Sequence, residues 1–166
     1  MKKSKTGGVL ILDFGSQYTQ LIARRVREKN IYSEILPSNT SLKSILSKNP
    51  KAIILSGGPA SVFSDNAPDF DKEIMNINIP ILGICYGLQL LVHHSGGTVD
   101  STGEGEYGFV TIQTVKKNGI TKNMSSSSKV WMSHMDQVTM VPDDWTVVAR
   151  SSNNIIAAMV SNDHMR

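Results

Sequence analysis

Cysteine occurs once in this chain, at position 85. No intramolecular disulfide can form, which fits a reducing compartment. Aromatic residues make up only 6%, so the core is expected to be mainly aliphatic. No apolar run approaches the roughly 20 residues that a membrane-spanning helix needs. The apolar stretch Val9–Leu12 stops at Asp13, too soon for the core of a signal peptide. Also missing is a basic stripe with interleaved aromatics. The formal charge of +3 comes partly from the opening Met-Lys-Lys-Ser-Lys, which argues against a nucleic-acid partner. There is no internal repeat and no recognisable linker. The expectation is a soluble, cytoplasmic protein with one domain over residues 1–166, in which the sequons at Asn39 and Asn123 carry no meaning. At 166 residues and 18.1 kDa the chain is long enough to bury a real core.

What is present is an alternation. Val9–Leu12, Ala52–Leu55 and Pro80–Ile84 are short continuous apolar runs, the mark of strands buried on both faces. Tyr32–Leu36, closed by Pro37, adds a fourth strand. Leu21, Ile22 and Val26 give helical spacing through Glu28, Ser41–Leu46 is a short amphipathic helix, Asp71–Ile77 is also read as helical, and another helix starts near Tyr86. The pattern predicts an α/β fold of flavodoxin-like type, an open, mostly parallel sheet with helices on both faces. After Gly97 the texture changes. Phe109–Val115, Val130–Met132, Val138–Val141, Val147–Ala149 and Ile155–Val160 are short β-rich runs between turn signals, predicting an antiparallel or mixed extension. Lys116–Lys129, with four consecutive serines, reads as an exposed loop or short helix. Ser161-Asn162-Asp163 is a turn signal with three residues after it, so the chain stops as though halfway through a hairpin.

Cys85 is the first candidate for chemistry. A lone cysteine is more often a buried inert residue. However, Gly83-Ile84-Cys85-Tyr86-Gly87 lies at a strand-to-helix junction and has the layout of a nucleophile elbow with cysteine in place of serine. The helix that follows aims its N–H groups and positive dipole end at the sulfur, favouring thiolate, and the Tyr86 N–H is placed to stabilise an oxyanion. Ser56-Gly57-Gly58-Pro59 closes another buried strand, at the sheet edge where α/β folds bind ligands. It reads equally as a plain glycine turn or as the source of a second oxyanion donor at Gly58. Gly103-Glu104-Gly105-Glu106-Tyr107-Gly108 matches a dinucleotide fingerprint by letter. It is rejected because it opens a strand and its glutamates would repel a pyrophosphate.

None of the four histidines offers an evident base. His93 and His94 follow Cys85 by about two helical turns, roughly 12 Å along the axis. His134, in Trp131-Met132-Ser133-His134-Met135-Asp136, is read as turn-like: it could line a pocket or simply hydrogen-bond. His164 belongs to the tail.

Four segments carry a resemblance: Asp13-Phe14-Gly15-Ser16-Gln17-Tyr18 continuing to Glu28, Ile54 to Pro59, Gly83 to Gln89, and Trp131 to His134. In this order they resemble the glutaminase domains of the GMP synthase family, within the class I (triad-type) glutamine amidotransferases. The resemblance covers almost the whole chain. It implies that Cys85 attacks the side-chain amide of glutamine to form a γ-glutamyl thioester, which water then hydrolyses, and that the Gly58 and Tyr86 backbone amides hold the oxyanions. Gln89 and the Ser133-His134-Met135 backbone would help bind glutamine. Neither cofactor nor metal is implied for the glutaminase itself. ATP and magnesium belong to a synthetase partner that aminates XMP to GMP, and the full enzyme is expected to be a homodimer. The family's base is a histidine in a Phe-His-Pro-Glu segment with its orienting glutamate two residues on. Neither is present here, so the chain is expected to be an incomplete domain with little activity alone. Met135 stands where the family usually has glycine, and Gly105 where it usually has arginine. The alternatives are the glutaminase subunit of another such amidotransferase, of the anthranilate synthase type, and a flavodoxin-like binding module with an inert cysteine.

Overall fold

The computed structural model describes residues 7–163 and 165–166, without the side chains of 102–104. The basic opening residues and His164, named above, lie outside the described residues. The chain divides into two compact units, Met1–Leu90 and Leu91–Arg166.

The first unit holds β1 (Val9–Asp13), α1 (Thr19–Arg27), β2 (Ser33–Pro37), α2 (Leu42–Ser47), β3 (Ala52–Leu55) and β4 (Ile81–Gly83), and α3 (Tyr86–His94) begins in it. Its four strands form one sheet in the order β2-β1-β3-β4, every pair parallel. β1 and β3 are central in that order and are the most apolar: Leu10, Ile11, Leu12, Ile53 and Leu55 are almost wholly buried, as strands covered on both faces must be. The helix α1 lays Ala23, with Ile22 and Val26, against Ile11 and Ile54. The basic residues Arg24, Arg25 and Arg27 fall in its last turn, where the helix dipole favours cations. The hydroxyl of Ser41 caps α2, accepting from the Ser44 N–H at 3.4 Å.

The Asp71–Ile77 helix is a single 3-10 turn over Lys72–Asn76, not α-helix. Asp71 caps it and Ile77 is already extended. Such short 3-10 pieces are common as connectors between longer elements.

The second unit contains β5 (Thr98–Thr114), β6 (Ser127–Met140), β7 (Trp145–Ser151) and β8 (Ile156–Ser161) in one antiparallel sheet, ordered β6-β5-β7-β8. Its core contains Val99, Ile112, Val138, Val148 and Met159. Between β5 and β6 runs a 3-10 turn at Gly119–Thr121, where Asn118 and Thr121 form a reciprocal cap. Two features differ from expectation. The β-rich run at 130–132 and the one at 138–141 as far as Met140 belong to one strand, so His134 lies within β6 and not in a turn. β5 begins eleven residues before Phe109, at Thr98. Polar residues in 133–137 imitate a turn in sequence, yet ladder pairing with β5 carries the strand through them.

At the end of β8 the chain reverses as the Ser-Asn-Asp signal implied. The Ser161 N–H donates to the Arg166 carbonyl at 3.0 Å, and Asp163 Oδ1 accepts from the Ser161 hydroxyl and the Met165 N–H.

Candidate active site

The site in the first unit is built where β1, β3 and β4 end. Ser56, fully buried just past β3, joins two of these ends. Its Oγ accepts from the Phe14 N–H at 2.9 Å and donates to the Gly57 carbonyl at 2.8 Å. Gly58 follows, and the space permits nothing larger: a Cβ there would lie 2.4 Å from the Phe14 carbonyl oxygen. The glycine is therefore required by close backbone approach, beyond any role in a turn. A Cβ on Gly57 would meet Cys85 Cβ at 3.5 Å, so the glycine segment runs beside the cysteine.

Cys85 takes φ of +49°, in the left-handed region that costs an L-residue roughly 1–2 kcal/mol. The elbow is held by its neighbours. Ile84 N–H donates to Leu55 O at 3.0 Å, and Gly87 N–H is shared between Ser56 O at 3.1 Å and Ile84 O at 3.0 Å. A Cβ on Gly83 would sit 2.5 Å from Gly87 O and from Leu88 N, and one on Gly87 would sit 2.3 Å from Leu55 O. Both flanking glycines of the G-x-C-x-G pattern are thus sterically required, and the strained residue between them is the one with a reactive side chain.

The thiol is half-buried and free. Burial pushes its pKa up from the ordinary value. The N-terminus of α3 pulls in the opposite direction by about 0.3–1 kcal/mol. Burial and the helix terminus thus act on the thiol in opposite senses. Tyr86, the first residue of α3, has no intrahelical acceptor for its N–H. Its ring is 2% exposed and packs on Phe14 with centroids 5.3 Å apart, and burial raises its phenol pKa. Gln89 is buried one turn along, its N–H bonded to the Cys85 carbonyl at 3.0 Å. The first unit therefore brings together Cys85, Gly58, Tyr86 and Gln89.

Ser133, His134 and Met135 belong to the second unit, on β6. Strand alternation turns Ser133 and Met135 outward and His134 inward. The imidazole faces Glu106 of β5, with Nε2 3.6 Å from Oε2. Glu106 is its register partner across the ladder, and the other carboxylate oxygen accepts from the Asn153 amide at 3.0 Å. Sequence reasoning passed over Glu106 and Asn153. A signal for the first was present: Glu106 shares its strand parity with Val110 and Ile112, so it had to face the same side as they do. The two departures from the family pattern also meet here. A Cβ on Gly105 would lie 2.5 Å from the His134 carbonyl oxygen and 3.0 Å from Met135 Cα. Among the described residues no group of three or more His, Cys, Asp or Glu side chains could hold a metal ion, and no helix is long and apolar enough to cross a membrane.

A parallel α/β sheet that presents a cysteine on a glycine-flanked elbow, beside a glycine segment, is the arrangement used in acyl transfer to sulfur. The chain belongs to the class-I glutamine amidotransferase family, whose profile matches residues 10–165. It is 51% identical over 159 residues to the GMP synthase [glutamine-hydrolyzing] of Campylobacter jejuni strain RM1221, covering 96% of this chain and 31% of that protein. The enzyme of the same name from Brachyspira hyodysenteriae is 48% identical over 151 residues, 91% of this chain and 29% of its own length. The chain thus spans about a third of the length of the curated relatives it matches. Among solved structures, a Thermoplasma acidophilum protein described as a candidate GMP synthase subunit superposes with a TM-score of 0.79 at 26% identity, covering 96% of this chain and 80% of that one. A Thermotoga maritima glutamine amidotransferase gives 0.72 at 21% identity, over 95% and 72% of the two chains, and supports the fold.

Proposed function

We propose that this chain is the glutaminase part of a GMP synthase. The observation that carries the reading is Cys85 at φ +49° on a steric elbow, at the head of α3 and beside the Ser56–Gly58 segment. In the proposed reaction Cys85 Sγ adds to the side-chain amide carbon of glutamine. The carbonyl oxygen becomes an oxyanion held by the Tyr86 and Gly58 N–H groups. Collapse expels ammonia and leaves a γ-glutamyl thioester, and attack by water through a second oxyanion yields glutamate and restores the thiol. Gln89 helps hold the substrate. Ammonia passes to a synthetase partner that binds ATP, magnesium and XMP and forms GMP, in a cytoplasmic enzyme that is a homodimer.

Both half-reactions need a general base. His93 and His94 lie about 12 Å or more along α3 from Cys85 at 1.5 Å per residue, and His134 is turned to Glu106 inside its own sheet. As the resemblance implies, the base is proposed to come from outside these 166 residues, and the chain alone is proposed to hydrolyse glutamine negligibly. The test is ammonia release by the chain alone and by the chain with its synthetase, with and without ATP and XMP. Hydrolysis confined to the assembled enzyme and raised by XMP with ATP is expected. Substantial release from the chain alone, or coupling to chorismate instead of XMP, would overturn the proposal.

A further inference from the structure

Ser56 is fully buried, and all of its polar atoms are engaged. Its N–H donates to Leu12 O at 3.0 Å, and its carbonyl accepts from the Gly87 N–H at 3.1 Å. Its hydroxyl accepts from the Phe14 N–H at 2.9 Å and donates to the Gly57 carbonyl at 2.8 Å. One residue thereby ties the end of β1, the glycine segment after β3 and the first turn of α3, all within the first unit. The bonds to Leu12 and Gly87 are main-chain bonds that any residue could make. The two hydroxyl bonds require serine's side chain, and the one to Gly57 bears on the chemistry.

The Gly57 carbonyl belongs to the same peptide group as the Gly58 N–H. That peptide is trans, so its C=O and N–H point in opposite directions. By holding the carbonyl, the hydroxyl also holds the N–H on the far side of the peptide, away from the buried Ser56–Phe14 bond. A peptide flanked by glycine on both sides needs such a restraint, because the adjoining torsions turn at little cost. Sterics do not supply it at Gly57. A Cβ there would make only ordinary contacts, 3.5 Å from Cys85 Cβ and 3.6 Å from Ser16 Oγ. If the peptide turned over, the Gly57 carbonyl oxygen would stand where the N–H now stands. A carbonyl oxygen beside an oxyanion repels it.

From this geometry we infer that Ser56 is a positioning residue for the oxyanion site. Its hydroxyl pins the Gly57 carbonyl and so keeps the Gly58 N–H turned to receive the oxygen when Cys85 sulfur adds to the amide carbon. The inference rests on the glutaminase reading, which assigns that N–H to the oxyanion. Ser56 is buried and acts through the peptide it holds. Its loss slows the steps that pass through an oxyanion and leaves capture of glutamine unchanged.

The test is steady-state glutamine hydrolysis by the assembled enzyme with Ser56→Ala in this chain. Beside it, iodoacetamide labelling of Cys85, in which sulfur displaces iodide and no oxyanion forms, reads the thiol alone. Deleting an oxyanion donor outright costs about 10²–10³ in kcat; an unpinned donor keeps part of its effect, so kcat falls about 10–100-fold. kcat/KM falls by the same factor while KM stays within about twofold, the pattern of an interaction made only in the transition state. The labelling rate also stays within about twofold of wild type, since the thiolate is untouched. A purely structural role would not produce this split in enzyme that remains folded during the assay. Should Ser56→Ala not fold, Ser56→Cys decides: its thiol donates only weakly, and kcat falls severalfold in the same pattern. A wild-type kcat in the variant, or a loss that appears in KM or in the labelling rate instead, overturns the inference alone. A wild-type enzyme that hydrolyses no glutamine overturns the glutaminase reading and this inference with it.

Discussion

Replacing Gly83 by alanine tests whether the elbow is sterically closed. The added Cβ would stand 2.5 Å from Gly87 O, 2.5 Å from Leu88 N and 2.6 Å from Gly87 C, all backbone atoms of the first turn of α3. Ordinary contact begins near 3.4 Å, so the end of β4 and the start of α3 must separate by close to an ångström. No side-chain rotation can relieve this. Overpacking of a tight site costs about 1–3 kcal/mol, and a backbone clash belongs at the upper end of that range. Alanine recovers about 0.5–1 kcal/mol by stiffening the unfolded chain. The net loss is then about 2–2.5 kcal/mol, which lowers the melting temperature of a chain this size by about 4–10 °C. Thermal unfolding followed by circular dichroism reads the shift. Iodoacetamide labelling of the same variant reports whether Cys85 has left its left-handed position. A variant that melts at or above wild type, with Cys85 labelled at the wild-type rate, would refute the steric account of the elbow.

Two further outcomes follow from the same residues. Ser56→Ala removes a buried hydroxyl that serves the Phe14 N–H and the Gly57 carbonyl. Leaving that N–H without a partner costs about 1–3 kcal/mol, measurable by urea unfolding; a loss below a few tenths would contradict the bridging role. The second concerns pH. Burial raises the Cys85 pKa, and thiolate is the reactive form. Iodoacetamide labelling should therefore climb about tenfold per pH unit below that pKa and go on climbing where an exposed thiol in an unfolded peptide has levelled off. A plateau at lower pH than the peptide's would show that the helix terminus outweighs burial.

The sequence made the first unit readable because its signals are local. Ala52–Leu55 is a strand with the bounds its apolar run suggested, and Gly83, Gly87 and Gly58 are glycine for reasons within a few ångströms of each. The segment read as helical at Asp71–Ile77 is a helix with its caps at those two residues, and its 3-10 form over Lys72–Asn76 was not legible in composition. The second unit was harder, since its order is long-range. Nothing near His134 in sequence announces that Glu106 faces it, or that Asn153, 47 residues beyond Glu106, clamps the carboxylate. The polar stretch around His134 resembles a turn until pairing with β5 is known. Cys85 itself was visible from its motif, but the sense of its pKa was not. The helix N-terminus suggested a lowered value, whereas the degree of burial that raises it exists only in the folded chain.

The central claim is that Cys85 is a nucleophile shaped for the side chain of glutamine. Mass spectrometry of the protein treated with the chloroketone glutamine analogue tests it most directly. The account predicts one adduct, located on Cys85, formed at a rate that saturates with reagent and is slowed by free glutamine. Labelling that increases linearly with reagent, ignores glutamine and matches the rate of an exposed thiol would contradict it.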